Sequence, residues 1–283
     1  MKKKIVVIGA GGKMGFRVSS KILKDGRFDA YFCEVSEAGI QRLRTLGVET
    51  ISPMEEIVPQ ADYVLLAIPD ILIGKLSHEI IPRMKSGALV IGLDPAAAYA
   101  EVMPIRDDIG YFVVHPHHPY LFNAEIDKDG KLDFFGGVAT QDVSCALYHG
   151  EEKYYAEGEQ IARIIFAPVG KAFRMTIKQM GFCEPGLVES IGGPMVYALK
   201  QAYDAFVVKG MPADALFSFM MGHLRVQFAI TFGFIDAKYS DGAILALNDA
   251  MKRIFRDNWI ETMVNEDFIT ESIMKITSAV NKK

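Results

Sequence analysis

A chain of 283 residues, half of them apolar, is long enough for two domains and folds without a staple of metal or disulfide. Its net charge of −4 offers no basic surplus to neutralise phosphates, which argues against nucleic acid as a partner and leaves a small anionic substrate open. Cys33, Cys145 and Cys183 are widely separated and odd in number; they form neither a disulfide framework nor a metal-like pair, as suits a reducing cytosol. Met1-Lys2-Lys3-Lys4 looks like the head of an export signal, but the apolar run Ile5 to Ala10 is too short for one. No stretch approaches the roughly 20 apolar residues of a membrane span, so a soluble cytoplasmic protein is expected.

Residues 4–115 alternate short apolar strands with helical patterns, the texture of a parallel α/β sheet. In chain order the pattern predicts a strand over Lys4–Ile8, a helix over Lys13–Lys24, a strand over Ala30–Cys33 and a helix over Glu37–Leu46. Thr50–Ser52 reads as a strand, Met54–Ile57 as a short helix, Tyr63–Ile68 as a strand and Leu72–Met84 as a helix. Strands over Leu89–Leu93 and Phe112–Val114 flank a short helix near Ala96–Glu101. A histidine- and proline-rich loop follows, and then Phe134–Leu147, one or two strands interrupted by Gly136-Gly137. From Gly150 the texture turns helical, over Glu151–Phe166, Glu184–Lys209, Pro212–Ile230, Asp241–Asn258 and Asp267–Val280. The expected organisation is an N-terminal Rossmann domain, a doubly wound parallel sheet, over residues 1–149. A mostly helical domain for substrate and dimerisation follows over residues 150–283.

Gly9-Ala10-Gly11-Gly12-Lys13-Met14-Gly15 follows the first strand and opens a helix. Gly9 permits the tight turn, Gly11 lets backbone approach a pyrophosphate, and Gly15 brings helix and strand together. The helix N-terminus then faces the phosphates. A glycine triplet alone is weak; its place after strand one, with Glu34 ending strand two, makes it a dinucleotide site. A glutamate there accepts from a ribose 2′-hydroxyl and repels a 2′-phosphate, so NAD is expected rather than NADP. The bland alternative makes Glu34 a solvated surface carboxylate. Ala67-Ile68-Pro69-Asp70 ends a further strand at the switch point, which adds Pro69 and Asp70 to the cofactor contacts expected of Gly9, Gly11, Gly12, Lys13, Met14 and Glu34. Leu93-Asp94-Pro95 belongs to the same rim.

The glycine opening and the Rossmann-then-helical layout resemble the 6-phosphogluconate dehydrogenase-like superfamily, which includes prephenate and β-hydroxyacid dehydrogenases. Three stretches resemble the D-apionate oxidoisomerase group within it: His115-Pro116-His117-His118-Pro119, Gly158-Glu159-x-Ile161-Ala162 leading to Phe166-Ala167-Pro168-Val169, and Glu184-Pro185-Gly186-Leu187-x-Glu189. That resemblance implies NAD-linked oxidation of a hydroxyl on a branched sugar acid, coupled to migration of a carbon substituent. It also implies a homodimer through the helical domain. The lysine-then-asparagine pair of phosphogluconate dehydrogenases is missing, because no asparagine follows Lys200 at that offset. Their lysine mechanism therefore does not carry over.

His115 matches the catalytic position of the prephenate dehydrogenases and lies just past the sixth expected strand. An imidazole titrating near neutrality suits removal of an alcohol proton. His118 and Glu189 are the other candidate catalytic residues, and His117 is an even choice between chemistry and loop bonding. A divalent metal such as zinc, held by His115, Glu184 and Glu189, is the alternative use of these groups as a Lewis-acid site. Glu184 reads equally as a charge at a helix N-terminus. His223 reads as a core histidine, His78 and His149 as structural, and Arg174 and Lys178 as solvated cations. Phe217, Phe219, Met220, Met221, Phe228, Phe232 and Phe234 read as core, with part of that surface left for a subunit interface. The rival readings are a prephenate- or pyrroline-carboxylate-type dehydrogenase of the same architecture, and an NAD-binding sensor without chemistry.

Overall fold

Strand β1 (Lys4–Ile8) has its last four residues buried, as befits a central strand covered on both faces. Parallel to it lie β2 (Asp29–Cys33) on one side and β3 (Tyr63–Leu66) on the other, followed by β4 (Leu89–Gly92) and β5 (Gly110–Pro116). The computed structural model describes residues 2–122 and 132–278. Among these residues the sheet has seven strands in the order β2-β1-β3-β4-β5-β6-β7. Strand β6 (Gln141–His149) runs antiparallel to β5, and β7 (Val169–Arg174) is parallel to β6. The chain moves outward from β1 to β2 and then crosses back to β3, which puts a topological switch point between the carboxyl ends of β1 and β3.

Alternate residues of β1 face opposite sides of the sheet, and each side has its own core. Ile5 and Val7 pack with Val18 and Ile22 of α1 (Lys13–Asp25) and Ile161 and Ile165 of α6 (Glu152–Ile165). Val6 and Ile8 pack with Ile73 and Ile80 of α4 (Asp70–Ile80) and Ala97 and Ala98 of α5 (Ala96–Tyr99). Helices α2 (Glu37–Arg44) and α3 (Met54–Ile57) fill the connections after β2. This is the Rossmann-like sheet that the sequence predicts, with helices following it.

Several elements depart from expectation. Thr50–Ser52 forms no strand: Ser52 makes one backbone bond to Phe32 at 2.9 Å, and Pro53 then opens α3. The strand expected from Phe134 begins only at Gln141. Gly136 and Gly137 take positive φ angles, and the Asp133 carboxylate ties the Val138 and Ala139 N–H groups at 2.9 and 2.8 Å, so this stretch is a turn. Strand β7 was not expected, because an edge strand carrying exposed Lys171 and Arg174 shows little apolar alternation. The long helix expected over Glu184–Lys209 is three pieces. They are α7 (Ile177–Gly181), a π-helical stretch Phe182–Gly192 containing Pro185, and α8 (Gly193–Val208). Proline cannot donate to an α ladder, and it sits where the wide turns occur.

By contacts the chain divides after Pro185, and it rejoins the first unit from Thr270 onward. The boundary is therefore not at 149/150: α6 packs against β5 and β6, and β7 extends the sheet. Tyr99 and Thr270 hydroxyls meet at 2.9 Å, which ties α12 (Glu266–Ser278) to α5. The second unit, Gly186–Ile269, holds α8, α9 (Ala213–Thr231), α10 (Asp241–Ile254) and α11 (Trp259–Met263). Its aromatic and methionine residues are not the core of this chain. Phe219 and Phe232 are 67% and 68% exposed, and Phe217, Met221, Phe228 and Phe234 are exposed as well. Among described residues only Ala229 and Ile269 of this unit are buried hydrophobics. No described helix is long and apolar enough to cross a membrane.

Candidate active site

The carboxyl ends of the five parallel strands share one rim of the sheet. A cleft of about 680 Å³ opens there, lined by Gly9, Gly12, Glu34, Ser36, Ile68 and Pro69 among others. The glycine turn above it has no room for side chains. A Cβ on Gly9 would stand 2.5 Å from the Ala67 carbonyl oxygen, one on Gly11 2.3 Å from that of Gly39, and one on Gly15 2.0 Å from that of Gly9. Helix α1 starts with Gly12, which supplies no side-chain cap, and no acidic residue stands in its first turn. Its N-terminal N–H groups thus suit an anion, and the turn fits the pyrophosphate of a dinucleotide.

Glu34 is built into this site. It accepts from the Gly11 N–H, the Val35 and Ser36 N–H groups, each at 2.9 Å, and the Ser36 hydroxyl at 3.0 Å. Burial pushes its carboxyl up, but these bonds outweigh burial and hold it below the ordinary glutamate range. The same Ser36 caps α2 by accepting from Gly39. A Cβ on Gly39 would stand 2.5 Å from the Glu34 carboxyl, so a larger residue there would displace that side chain from its bonds. Of the other expected contacts, Lys13 is exposed at the start of α1, Met14 packs on the core, and Asp70 opens α4. Cys33 also lines the cleft, but burial pushes its thiol up to about 12, which leaves it unreactive.

Further along the rim, His115 near the end of β5 lies between two carboxylates. Its Nδ1 faces the Leu93 carbonyl oxygen at 3.2 Å and Asp94 Oδ2 at 3.4 Å; its Nε2 faces Glu184 Oε2 at 3.3 Å. Strand β4 delivers Asp94, and the stretch after α7 delivers Glu184. Burial pulls the His115 pKa down, but Glu184, Asp94 and the Leu93 carbonyl outweigh it and raise the ring above its ordinary value. Burial raises Glu184, yet the bond and charge of His115, with His118 and His117, bring it below its ordinary range. Asp94 goes the other way. Burial lifts its carboxyl further than His115 and the Ala96 N–H pull it down, and Glu184 adds to the rise.

The other histidines have partners of their own. His117 stacks on Phe173 at 5.6 Å, and its Nε2 bonds Ser144 Oγ at 2.7 Å; that hydroxyl donates to the Met175 sulfur. His118 has a positive φ of 59°, bonds the Phe135 carbonyl oxygen at 3.1 Å and is half-buried. His223 is not a core residue: it is exposed, bonding the Phe219 carbonyl and stacking on that ring. Arg174 pairs with Glu152 and covers Tyr155, and Lys178 lies over Phe182. Glu189 is exposed on the Phe182–Gly192 stretch, in the second unit.

A resident zinc does not fit the donors described. His115 Nε2 and Glu184 Oε2 face each other as an ion pair, and no group of three or more His, Cys, Asp or Glu among the described residues is arranged to hold a metal ion.

Comparison with known proteins agrees with this geometry. Residues 123–277 match the phosphogluconate dehydrogenase (decarboxylating) C-terminal family, and residues 1–126 match the NADPH-binding domain of acetohydroxy acid isomeroreductase. The D-apionate oxidoisomerase of Cupriavidus necator is 40% identical over 279 residues, 98% of this chain and 100% of that protein. That of Rhizobium rhizogenes is 41% identical over 274 residues, 96% of this chain and 99% of its own. The chain belongs to the D-apionate oxidoisomerase family. The crystal structure of a semialdehyde dehydrogenase NAD-binding protein from Cupriavidus necator, in complex with calcium and NAD, matches it with a TM-score of 0.92 at 39% identity. The match covers 98% of this chain and all of that one.

The stretch Glu184-Pro185-Gly186 that resembles the D-apionate oxidoisomerase family is thus the one that brings a carboxylate to His115. Asp94 is the member of the cluster that the sequence pattern put on this rim without giving it a chemical role. Its signal was an acidic residue at the end of a parallel strand, the same placement that marks Glu34 after β2.

Proposed function

We propose that this chain is an NAD-dependent oxidoisomerase of a small branched sugar acid, D-apionate as in its named relatives. It oxidises a hydroxyl and couples the oxidation to migration of a carbon substituent. The observation that carries this reading is the half-buried His115, held between Asp94 and Glu184 on the rim that also bears the glycine turn and Glu34.

NAD, when bound, takes up the hydride. The residues of the chain do the rest. N–H groups of the glycine turn and of α1 receive the pyrophosphate, and Glu34 accepts from the adenosine ribose. A carboxylate at that point favours NAD over NADP, although the N-terminal half matches an NADPH-binding domain. Neutral His115 takes the hydroxyl proton at Nε2 as the C–H bond gives up its electron pair, and the Glu184 carboxylate stabilises the imidazolium that results. A placed general base is worth about 10²- to 10⁴-fold in rate. Because the carboxylates raise the His115 pKa, turnover should rise with pH through that raised value. Glu189 is the proposed second carboxylate for orienting substrate, so Glu189→Gln should raise KM for the sugar acid and leave that for NAD unchanged.

The second unit, with its apolar helices, is proposed to dimerise with a second copy of the chain. A cytoplasmic location is proposed as well, supported by three free cysteines. The test is absorbance of reduced cofactor with D-apionate, linear sugar acids and prephenate in turn. NAD reduction with D-apionate is the expected result. A chain that reduces NAD with prephenate alone, or with no sugar acid, contradicts the proposal.

A further inference from the structure

Asp94 has no assigned part in the reaction just described, yet it reaches the ring nitrogen that the reaction does not use. We infer that Asp94 is a positioning residue of His115, its carboxylate standing beside Nδ1 and the Leu93 carbonyl oxygen that bonds it, so that Nε2 is the nitrogen presented to the substrate. The inference rests on His115 acting as the base.

A neutral imidazole carries one hydrogen, and which nitrogen bears it depends on the acceptors nearby. Two acceptors converge on Nδ1, the Leu93 carbonyl oxygen at 3.2 Å and Asp94 Oδ2 at 3.4 Å. They favour the hydrogen on Nδ1, which leaves Nε2, facing Glu184 Oε2 at 3.3 Å, to take a proton that this carboxylate then stabilises. Asp94 is itself held. Its Oδ1 accepts from the Ala96 N–H at 2.8 Å, at the start of α5, whose residues Ala96, Ala97 and Ala98 are buried. Pro95 follows directly and restricts the Asp94 backbone. Swinging away from the ring would cost the carboxylate its bond to the Ala96 N–H.

The charged groups around His115 come from four places in the chain. Asp94 follows β4, Glu184 belongs to the stretch after α7, and His117 and His118 follow on from β5, with Asp142 of β6 beyond His117. Of these only Asp94 meets Nδ1. Burial raises the pKa of Asp94, so its ionised form costs stability. A carboxylate kept at such a cost is a mark of function more than of folding.

The experiment is the pH profile of kcat/KM for the sugar acid in wild type, Asp94→Asn, Asp94→Glu and His115→Ala, with NAD affinity measured alongside. For Asp94→Asn, kcat should fall about 100-fold and the acid limb should move to lower pH by about one unit, since an opposite charge beside the imidazole is lost. NAD affinity should hold, and the melting temperature should hold or rise. Asp94→Glu keeps the charge, and its acid limb should stay in place. If His115→Ala leaves turnover intact, the base assignment itself fails. If His115→Ala abolishes turnover while Asp94→Asn keeps both rate and acid limb, only the positioning role fails. Should Asp94→Asn not fold, a displaced acid limb in Asp94→Glu overturns the inference on its own.

Discussion

Glu34 accepts four hydrogen bonds from its own neighbourhood and still lines the cleft, so its carboxylate is oriented before any ligand arrives. A hydrogen bond to a charged group contributes about 1.5–3 kcal/mol, which corresponds to roughly 10- to 100-fold in affinity. Glu34→Gln should therefore raise KM for NAD by at least about tenfold and narrow the preference over NADP, as steady-state kinetics with both cofactors will show. The His115–Glu184 pair makes a second prediction, about stability. His115 is raised above its ordinary 6.5, so its contribution is complete below about pH 6.5 and is lost as pH rises through the raised value. Glu184 lies below its ordinary 4.5, so its contribution is complete above about pH 4.5 and is lost as pH falls through the lowered value. Both hold together between about pH 4.5 and 6.5. Thermal melts of Glu184→Gln should show the largest loss in that window, and an equal loss at pH 9 would contradict the pairing.

At the scale of elements, the glycine turn was legible because each glycine has a steric reason that survives in the sequence. Gly11 lets α2 approach the turn, and Gly11→Ala places a Cβ 2.3 Å from the Gly39 carbonyl oxygen. Overpacking of this kind costs about 1–3 kcal/mol, so the melting temperature should drop by several degrees and NAD titration should show little binding. Helices α1, α4 and α6 and the five parallel strands were legible for a similar reason: their apolar periods reflect burial on the two faces of one sheet. Strand β7 was not, because an edge strand with exposed cations carries no such period. Nor was the π-helical stretch legible, since Pro185 reads in sequence as a first-turn proline. The cluster around His115 was half legible. His115 and Glu184 stood out as unusual types in unusual places, whereas Asp94 sat inside an Asp-Pro pair that reads as loop punctuation.

For the whole molecule, the second unit is the proposed seat of assembly. Helices α8, α10 and α11 bury no residue within this chain, and Leu245 and Phe232 are 72% and 68% exposed. A soluble monomer does not ordinarily leave so much contiguous apolar surface uncovered. Sedimentation should give a dimer, and Leu245→Asp with Phe232→Asp should give a smaller species; a wild-type monomer contradicts the dimer. The aromatic excess was visible in the sequence, but a core and an interface have the same composition, so only exposure separates them. The central claim joins the two halves of the rim, cofactor at Glu34 and base at His115. Its most direct measurement is NADH formation after mixing D-apionate with NAD-loaded protein, for wild type and His115→Ala. The expected result is equal NAD affinity in both and NADH formation at least about 100-fold slower in His115→Ala. Equal rates of NADH formation, or none in wild type, would contradict it.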